Sequence, residues 1–509
     1  MTQTPTLSRM PVQRLPDLAT LAQPVYEISD EDRARQQRIR DAWVAYDGEL
    51  DPPLKKLPDG TDNNVMTNHC KGVVNPGRDA LFGKELGISV EKSAPAKAQQ
   101  IIDKTWGRKE ARIPLLQKLD MNGAMAGQAF LRIVKSGKRS FRLVVVDPSI
   151  VFVKTAPQDC ETVLLYCIEY SVSEKVNGHP QQIFYREEIV RVDPTTDEGN
   201  DGYGDSDAEG LDEDVTWSIQ HWSRKGERGQ WTPSGAPIVW AYPFPPLFSN
   251  QNLPRPNDFW GYPDITEDII GVNKALNSTE SDIKQGLWFY GNPILYAGGV
   301  GQSVIDIKTG KIIVLPLPES KITAVQLHTE IEKALSFADD LRSNIDEMSA
   351  VPGVAIGRLK DMPRGTVSGV TIELLYQPLL NKTDTKRCTY GKMIIDVSKA
   401  LLVLNGLSGE IDIELSWQSP LPKDDLGSVQ TAVSKKEIGV SDQTLMRELG
   451  YDPKEELALS LAEDAQALEQ AQKTATSFPA AVPAAPSLPN QPEPAKPGQP
   501  APTSGGTQP

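Results

Sequence analysis

The chain has 509 residues, enough for large cores and two to four domains, and with 24% charged and 6% aromatic side chains and a mean hydropathy of −0.37 it reads as a soluble chain of moderate cores. A net charge of −15 argues against tight, sequence-independent gripping of nucleic acid, because that affinity comes from Lys and Arg neutralising phosphates. It is compatible with an acidic surface that DNA slides past without sticking.

No apolar run approaches the roughly 20 residues that cross a bilayer, and residues 1–24 lack the basic start and apolar centre of a signal peptide. Cytoplasmic synthesis is the expectation. Cys70, Cys160, Cys167 and Cys388 are too few and too scattered for a disulfide framework, and are expected as buried free thiols.

Residues 1–28, rich in Pro and Thr, read as an arm that is flexible or ordered on assembly. Ser29 or Asp30 caps a first helix through Tyr46, with Glu31 and Asp32 at its positive end. A helix over 63–81 interrupted near Pro76 follows, then helices over 96–106 and 112–126. Gly127 breaks the pattern before hairpin strands at 130–134 and 141–146, and strands at 151–153, 163–170, 182–185 and 189–192 continue a meander. The acidic, Gly-rich run 197–214 fails the spacing of a calcium loop, with Gly199 at the third ligand position and Ala208 at the closing one, and reads as solvated. Strands at 215–222 and 238–242 complete an α+β domain over residues 50–250.

From Asp264, apolar residues recur at Ile265, Ile269, Val272, Leu276, Ile283 and Leu287, a narrow seam on a rod of roughly 35–40 Å. Residues 291–326 switch to β chemistry, and 328–348 return to a helix of matching length with Ile331, Leu335, Ala338, Leu341, Ile345 and Met348 on one face. Two helices around a small β insert make a hairpin whose seams neighbouring copies of the chain would cover. An aperiodic loop over 355–369 carries Arg358, Lys360 and Arg364; a long helix over 370–404 is expected to kink near Pro378, and 411–417 reads as a strand. Ser441 caps a short helix closed by Gly450, a further helix runs from Asp452 to about Gln472, and 479–509, with ten Pro in 31 residues, is expected to be disordered.

Catalytic signatures are missing. No Gly-x-x-x-x-Gly-Lys-Ser/Thr loop occurs, Gly298-Gly299-Val300-Gly301 lacks the third Gly of a dinucleotide fingerprint, and Cys160 and Cys167 do not have zinc spacing. His69, His179, His221 and His328 stand without an obvious nucleophile, so no catalytic residue, metal or cofactor is expected, while a triad assembled from distant residues stays open.

An ordered series of short motifs carries a resemblance. Asn252-Leu253-Pro254-Arg255-Pro256-Asn257 and Trp260-Gly261-Tyr262-Pro263-Asp264-Ile265 lead it, followed by Asn273, Ser281-Asp282 and Asn292-Pro293. Gly127-Gln128-Ala129-Phe130, Val146-Asp147-Pro148, Gly310-Lys311-Ile312-Ile313, Ser349-Ala350-Val351-Pro352, Ser368-Gly369-Val370, Pro378-Leu379, Trp417 and Ser441-Asp442-Gln443-Thr444 with Leu449-Gly450 fall in the right order. The sequence resembles the portal proteins of tailed double-stranded DNA bacteriophages.

The resemblance implies an α+β portal fold in a ring of twelve subunits at one capsid vertex of the virion. Its parts would be an N-terminal arm (1–28), a wing (29–255), a first stem helix (256–291), a clip (292–326) and a second stem helix (327–353). A tunnel loop (354–369), a long kinked helix with a wing strand (370–424), a crown (425–474) and a Pro-rich tail (475–509) would follow. It implies a channel through which double-stranded DNA is packaged and ejected, with terminase, a head-tail adaptor, and major capsid and scaffolding proteins as partners, and no membrane. Arg358, Lys360 and Arg364 are the candidates to come near DNA, with solvated or paired loop charges as the alternative. Tyr296, Gly298, Gly299, Gly301, Ile312 and Val314 are candidates for docking and intersubunit contact. Ile265, Ile269, Val272, Leu276, Leu335, Leu341 and Ile345 form the stem seam. Asp264, Glu267, Asp268, Glu280 and Asp282 either line the channel or form an outward solvated face. A head or adaptor protein that rings without a stem, and a maturation enzyme fused to a portal, are the competing readings.

Overall fold

The computed structural model describes residues 23–56, 60–137, 140–176, 179–192, 215–291, 294–298, 321–325, 331–358, 369–421, 432–449, 456 and 459–461. The chain divides into two compact units, Met1–Pro422 and Lys423–Pro509. In the first, helices α1 (Asp30–Asp47), α2 (His69–Phe82), α3 (Ala96–Trp106) and α4 (Lys109–Ala126) precede most of the strands. Strands β1 (Gly87–Val90), β2 (Gln128–Gly137), β3 (Ser140–Val146), β4 (Val151–Ala156), β5 (Asp159–Val176), β6 (His179–Val192), β7 (Thr216–Lys225), β8 (Thr232–Pro233), β9 (Ile238–Trp240) and β10 (Leu247–Gln251) lead to α5 (Glu267–Gly291). Then come β11 (Ile294–Gly298), β12 (Lys321–Val325), α6 (Ile331–Ser349), α7 (Gly369–Leu404) and β13 (Ile413–Ser416). The second unit has a helical stretch at 432–437 and α8 (Asp442–Leu449).

Local chemistry accounts for the helix ends. Ser29 Oγ accepts the Asp32 N–H at 3.1 Å while the Asp32 carboxylate accepts the Ser29 N–H at 3.1 Å, a reciprocal box that starts α1. Gly48, at φ 81, closes it in a conformation that side chains resist.

The sheets stack in layers. The order β4-β5-β6-β7-β8, with β9 also on β7, makes a six-stranded antiparallel sheet, and β10-β2-β3 a three-stranded one. Phe130 and Leu247 from the smaller sheet meet Tyr166, Ile168, Ile189, Trp217 and Ile219 from the larger. The far face of the larger sheet buries Phe152, Leu165, Cys167 and Val190 beneath Val25, Tyr26 and Ile28. That covering segment is fastened by Glu188, which accepts the Val25 and Tyr26 N–H groups at 3.0 and 2.9 Å, and by Arg186, which donates to Tyr26 O at 2.7 Å.

Several expectations need correction. The helix expected over 63–81 starts only at His69, because the extended residues before it direct the N–H groups of Val65, Thr67 and His69 to side chains of α5. The strands expected at 163–170, 182–185 and 189–192 are parts of two long paired strands, β5 and β6, with Leu165 opposite Val190 and Val176 opposite His179. The strand β1 went unrecognised; it has only four residues, and its partner β13 is more than 300 positions away. Cys388 is exposed and Cys160 half-buried, so only Cys70 and Cys167 are the buried thiols expected of all four.

α7 belongs to the core of the first unit. Its second half buries Tyr390, Met393, Ile394, Val397, Leu401 and Leu402 among Phe82, Trp106, Leu119 and Leu131, and Trp106 Nε1 donates to Ser398 Oγ at 2.9 Å. Pro378 lies inside the helix, which runs through it from Gly369 to Leu404.

Candidate channel elements and their buried junction

The narrow seam of α5 and α6 is buried where α1, α2 and α4 add to it. Ile265, Ile269, Leu276, Ile283, Ala338, Leu341 and Ile345 share one cluster with Ala42, Ala45, Val73 and Val74, while Val272 is half-buried. Farther out there is less chain to cover it. Leu335, an expected seam residue, is 51% exposed and Leu287 is 50% exposed in the single chain. Arg342 bridges the helices, pairing with Glu280 across the hairpin and with Asp339 on its own helix. Beyond them β11 and β12 pair, Ile294 opposite Val325 and Tyr296 opposite Thr323.

One face of α5 clasps an extended segment. Asn273, Asn277 and Ser281 accept the N–H groups of His69, Thr67 and Val65 at 3.2, 3.0 and 2.9 Å. Four helical residues rise about 6 Å and two extended residues about 6.6 Å, so one side chain per turn meets every second peptide. Lys284 Nζ prolongs the clasp to Asp62 O at 3.2 Å, and Thr67 Oγ1 donates to Glu280 at 2.9 Å.

A buried charge cluster joins the hairpin to α7. Lys386 Nζ donates to Asp264 Oδ2 at 2.6 Å and to Asp120 Oδ1 on α4 at 2.9 Å. Lys382 Nζ, one turn earlier, lies 2.9 Å from Asp264 Oδ1 and donates to Ser349 O at 2.9 Å. One ammonium therefore closes the base of the hairpin, from the residue ahead of α5 to the last residue of α6. Tyr390 Oη donates to Asn252 Oδ1 at 3.1 Å, and Asn252 Nδ2 donates to Tyr262 O at 3.1 Å. Two lysines balance two carboxylates, as burial requires.

Electrostatics separate the two acids. Burial alone would raise the Asp264 carboxyl, but Lys382 and Lys386 outweigh it and hold it below the usual carboxylate range. Asp120 is pushed up by burial, against the pull of Lys386. Burial would lower Lys386, yet Asp120 and Asp264 raise it above the ordinary lysine value.

Two glycines permit the close approaches around this cluster. A Cβ on Gly123 would overlap Tyr390 Oη, and one on Gly127, at φ 77, would overlap Gly261 O.

After α6 the chain doubles back. Ala350 adopts φ 56, and a 3-10 turn at Gly353–Ile356 ends on Gly357 at φ 85. Arg358 is returned to α6, where its guanidinium pairs with Asp346. Lys360 and Arg364 lie outside the described residues, as do Gly299, Gly301, Ile312, Val314 and the acidic run 197–214; Tyr296 and Gly298 are in β11. Of the five acids expected either to line the channel or to form an outward solvated face, Asp264 is buried and the Glu280 carboxylate is held between Arg342 and Thr67. Glu267, Asp268 and Asp282 are exposed.

The sequence reading missed Lys382, Lys386, Asp120 and Tyr390. The available signal was two lysines one turn apart in a helix that becomes strongly apolar after Tyr390, a pattern equally suited to a solvated face. A cavity of about 700 Å³ lies between α1 and residues 255–267, where Arg35 stacks 3.8 Å over Trp260. Among the described residues no group of three His, Cys, Asp or Glu is placed to hold a metal ion, and no helix is long and apolar enough to cross a membrane.

The fold and junction define a mixed α+β chain in which a two-helix hairpin with a β end is tied through buried charges to a sheet domain. The sequence matches the family described as phage portal protein, SPP1 Gp6-like, over residues 26–470, and the chain belongs to that family. Among solved structures it is similar to a chain in the virion of a native gene transfer agent particle, at 13% identity and TM-score 0.45, covering 84% of this chain and 95% of that one. It is also similar to a chain of the neck of the native particle computed with C12 symmetry, at 13% identity and TM-score 0.44, covering 86% and 97%. No curated protein matches the chain.

Proposed function

We propose that the chain is the subunit of a ring, twelve copies by family likeness, at one capsid vertex of a virion. The ring is the channel through which double-stranded DNA is packaged and ejected without sequence specificity. The observation that carries this reading is the family match over residues 26–470, on a chain whose α5–α6 hairpin leads into a β pair and returns through a compact turn to α7. The sheet domain is the wing, α5 and α6 the stem, and β11 and β12 the root of the clip. Residues 354–369 are the tunnel loop, where Lys360 and Arg364 supply cations for transient phosphate contacts.

The clip, from Tyr296 through Gly298, Gly299, Gly301 and Ile312 to Val314, is the docking surface for the terminase large subunit and later the head-tail adaptor. Major capsid and scaffolding proteins surround the wing. The stem seam, exposed at Leu335 and Leu287 in one chain, is covered by the neighbouring copy. Exposed Glu267, Asp268 and Asp282 give the stem an acidic face that DNA does not adhere to. The chain itself has no catalytic role, and packaging energy comes from its motor partner. Negative-stain images and mass measurement of the purified chain test the reading: a closed ring with a central hole is expected, and a monomer or a stemless ring refutes it.

A further inference from the structure

We infer that Arg358 is a positioning residue and not a phosphate contact. Through Asp346 it fixes the start of the segment 359–368 on the last turns of α6, where Lys382 from within α7 also bonds. The inference rests on the portal reading and deepens it.

Both anchors converge on one short stretch of helix. Val351 N donates to Asp346 O at 3.1 Å and Arg358 N to Gly353 O at 3.0 Å, so residues 350–358 fold back onto α6 through their own backbone. The Arg358 guanidinium completes the return by pairing with Asp346, and both side chains are four-fifths buried. From the other side, α7 sends Lys382 to Ser349 O and to Asp264. Asp346 and Ser349 are thus held by one cation from the chain before residues 359–368 and one from the chain after them.

Charge decides what Arg358 has left to offer DNA. A guanidinium neutralised by an adjacent carboxylate forms a dipole whose field falls off quickly and is screened within about 8–10 Å at ordinary salt. Releasing it to a phosphate would leave Asp346 unpaired in a part-buried place, at a cost that the phosphate contact must first offset. Lys360 and Arg364 remain as the cationic candidates of the loop.

The test is a charge swap in full-length chain, read as nuclease-protected DNA per particle, with ring formation checked by negative stain. Arg358→Ala and Asp346→Ala are each expected to lower protected DNA by about tenfold, the size of effect that coupled charge pairs show in double-mutant cycles. The double variant Asp346→Arg with Arg358→Asp is expected to recover most of it, with rings throughout. If the swapped chain forms no rings, the neutral hydrogen-bonding pair Asp346→Asn with Arg358→Gln decides, and it should package more than Arg358→Ala. Loss with Arg358→Ala but none with Asp346→Ala would overturn the inference, because freeing the cation should not harm a phosphate contact. Wild-type packaging by both single variants would overturn it equally. Failure of the unaltered chain to form rings would instead remove the portal reading.

Discussion

Lys386 Nζ lies 2.6 Å from Asp264 Oδ2 across 122 positions of sequence, tying the middle of the long helix α7 to the chain just ahead of α5. Both groups are almost wholly buried, and Asp120 and Lys382 bring the cluster to neutrality. Removing one member leaves an uncompensated buried charge. Lys386→Met is expected to cost about 3–5 kcal/mol in urea unfolding, and Asp264→Asn a similar amount. A loss below about 1 kcal/mol for both would show that the cluster does not hold the base of the α5–α6 hairpin to α4 and α7.

Gly123 and Tyr390 form a second coupled pair. Gly123→Ala places a methyl on the Tyr390 hydroxyl, and the rigid surroundings make overpacking cost about 1–3 kcal/mol, beyond the small gain from a better helix former. Tyr390→Phe removes the obstructing oxygen. The double variant should be more stable than Gly123→Ala alone, and strict additivity of the two changes in thermal unfolding would argue against the contact.

The clasp on α5 predicts a local effect. Asn277→Ala removes the acceptor of the Thr67 N–H and should cost about 1–2 kcal/mol. Hydrogen exchange should quicken at Val65, Thr67 and His69 while the amides of the α7 core keep their protection. Uniform loss of protection would indicate global destabilisation instead.

His69 gives a pH dependence. Burial lowers its imidazole below the usual value, with Glu280 favouring the charged form and Arg342 and Arg358 opposing it. The unfolded chain therefore takes up a proton near pH 6.5 before the folded one does. The stability His69 contributes is complete above about pH 6.5 and is lost as pH falls through its lower folded value. Denaturation midpoints should drop between pH 7 and 5, less steeply in His69→Gln; identical slopes in both proteins would contradict the assignment.

Glu188 fastens the segment over the large sheet. Glu188→Gln keeps one acceptor oxygen but turns an amide N–H toward the second backbone donor, so Val25 and Tyr26 should lift more often. Cys167, fully buried beneath them, should react with a thiol reagent about tenfold faster in the native chain. Unchanged labelling, with Cys167→Ser as the control, would mean the apolar contacts suffice.

The sequence by itself determined what depends on neighbours along the chain. A cap at Ser29 or Asp30, the strands of the sheet domain, the matched helices around a β insert and the long helix after it were all legible, because caps and periodicities are local physics. The ordered motifs likewise pointed to the portal family, which the match over residues 26–470 bears out. Only the tertiary structure decided which charges face water. Asp264 and Glu280 read as acids of a channel lining or of an outward solvated face until Lys382, Lys386 and Arg342 arrived from elements about 60 to 120 residues away. Leu335 read as seam, yet the single chain has too little surface to cover it. Burial and ion pairing are properties of what folding brings alongside a residue, and spacing along a helix carries no record of that partner.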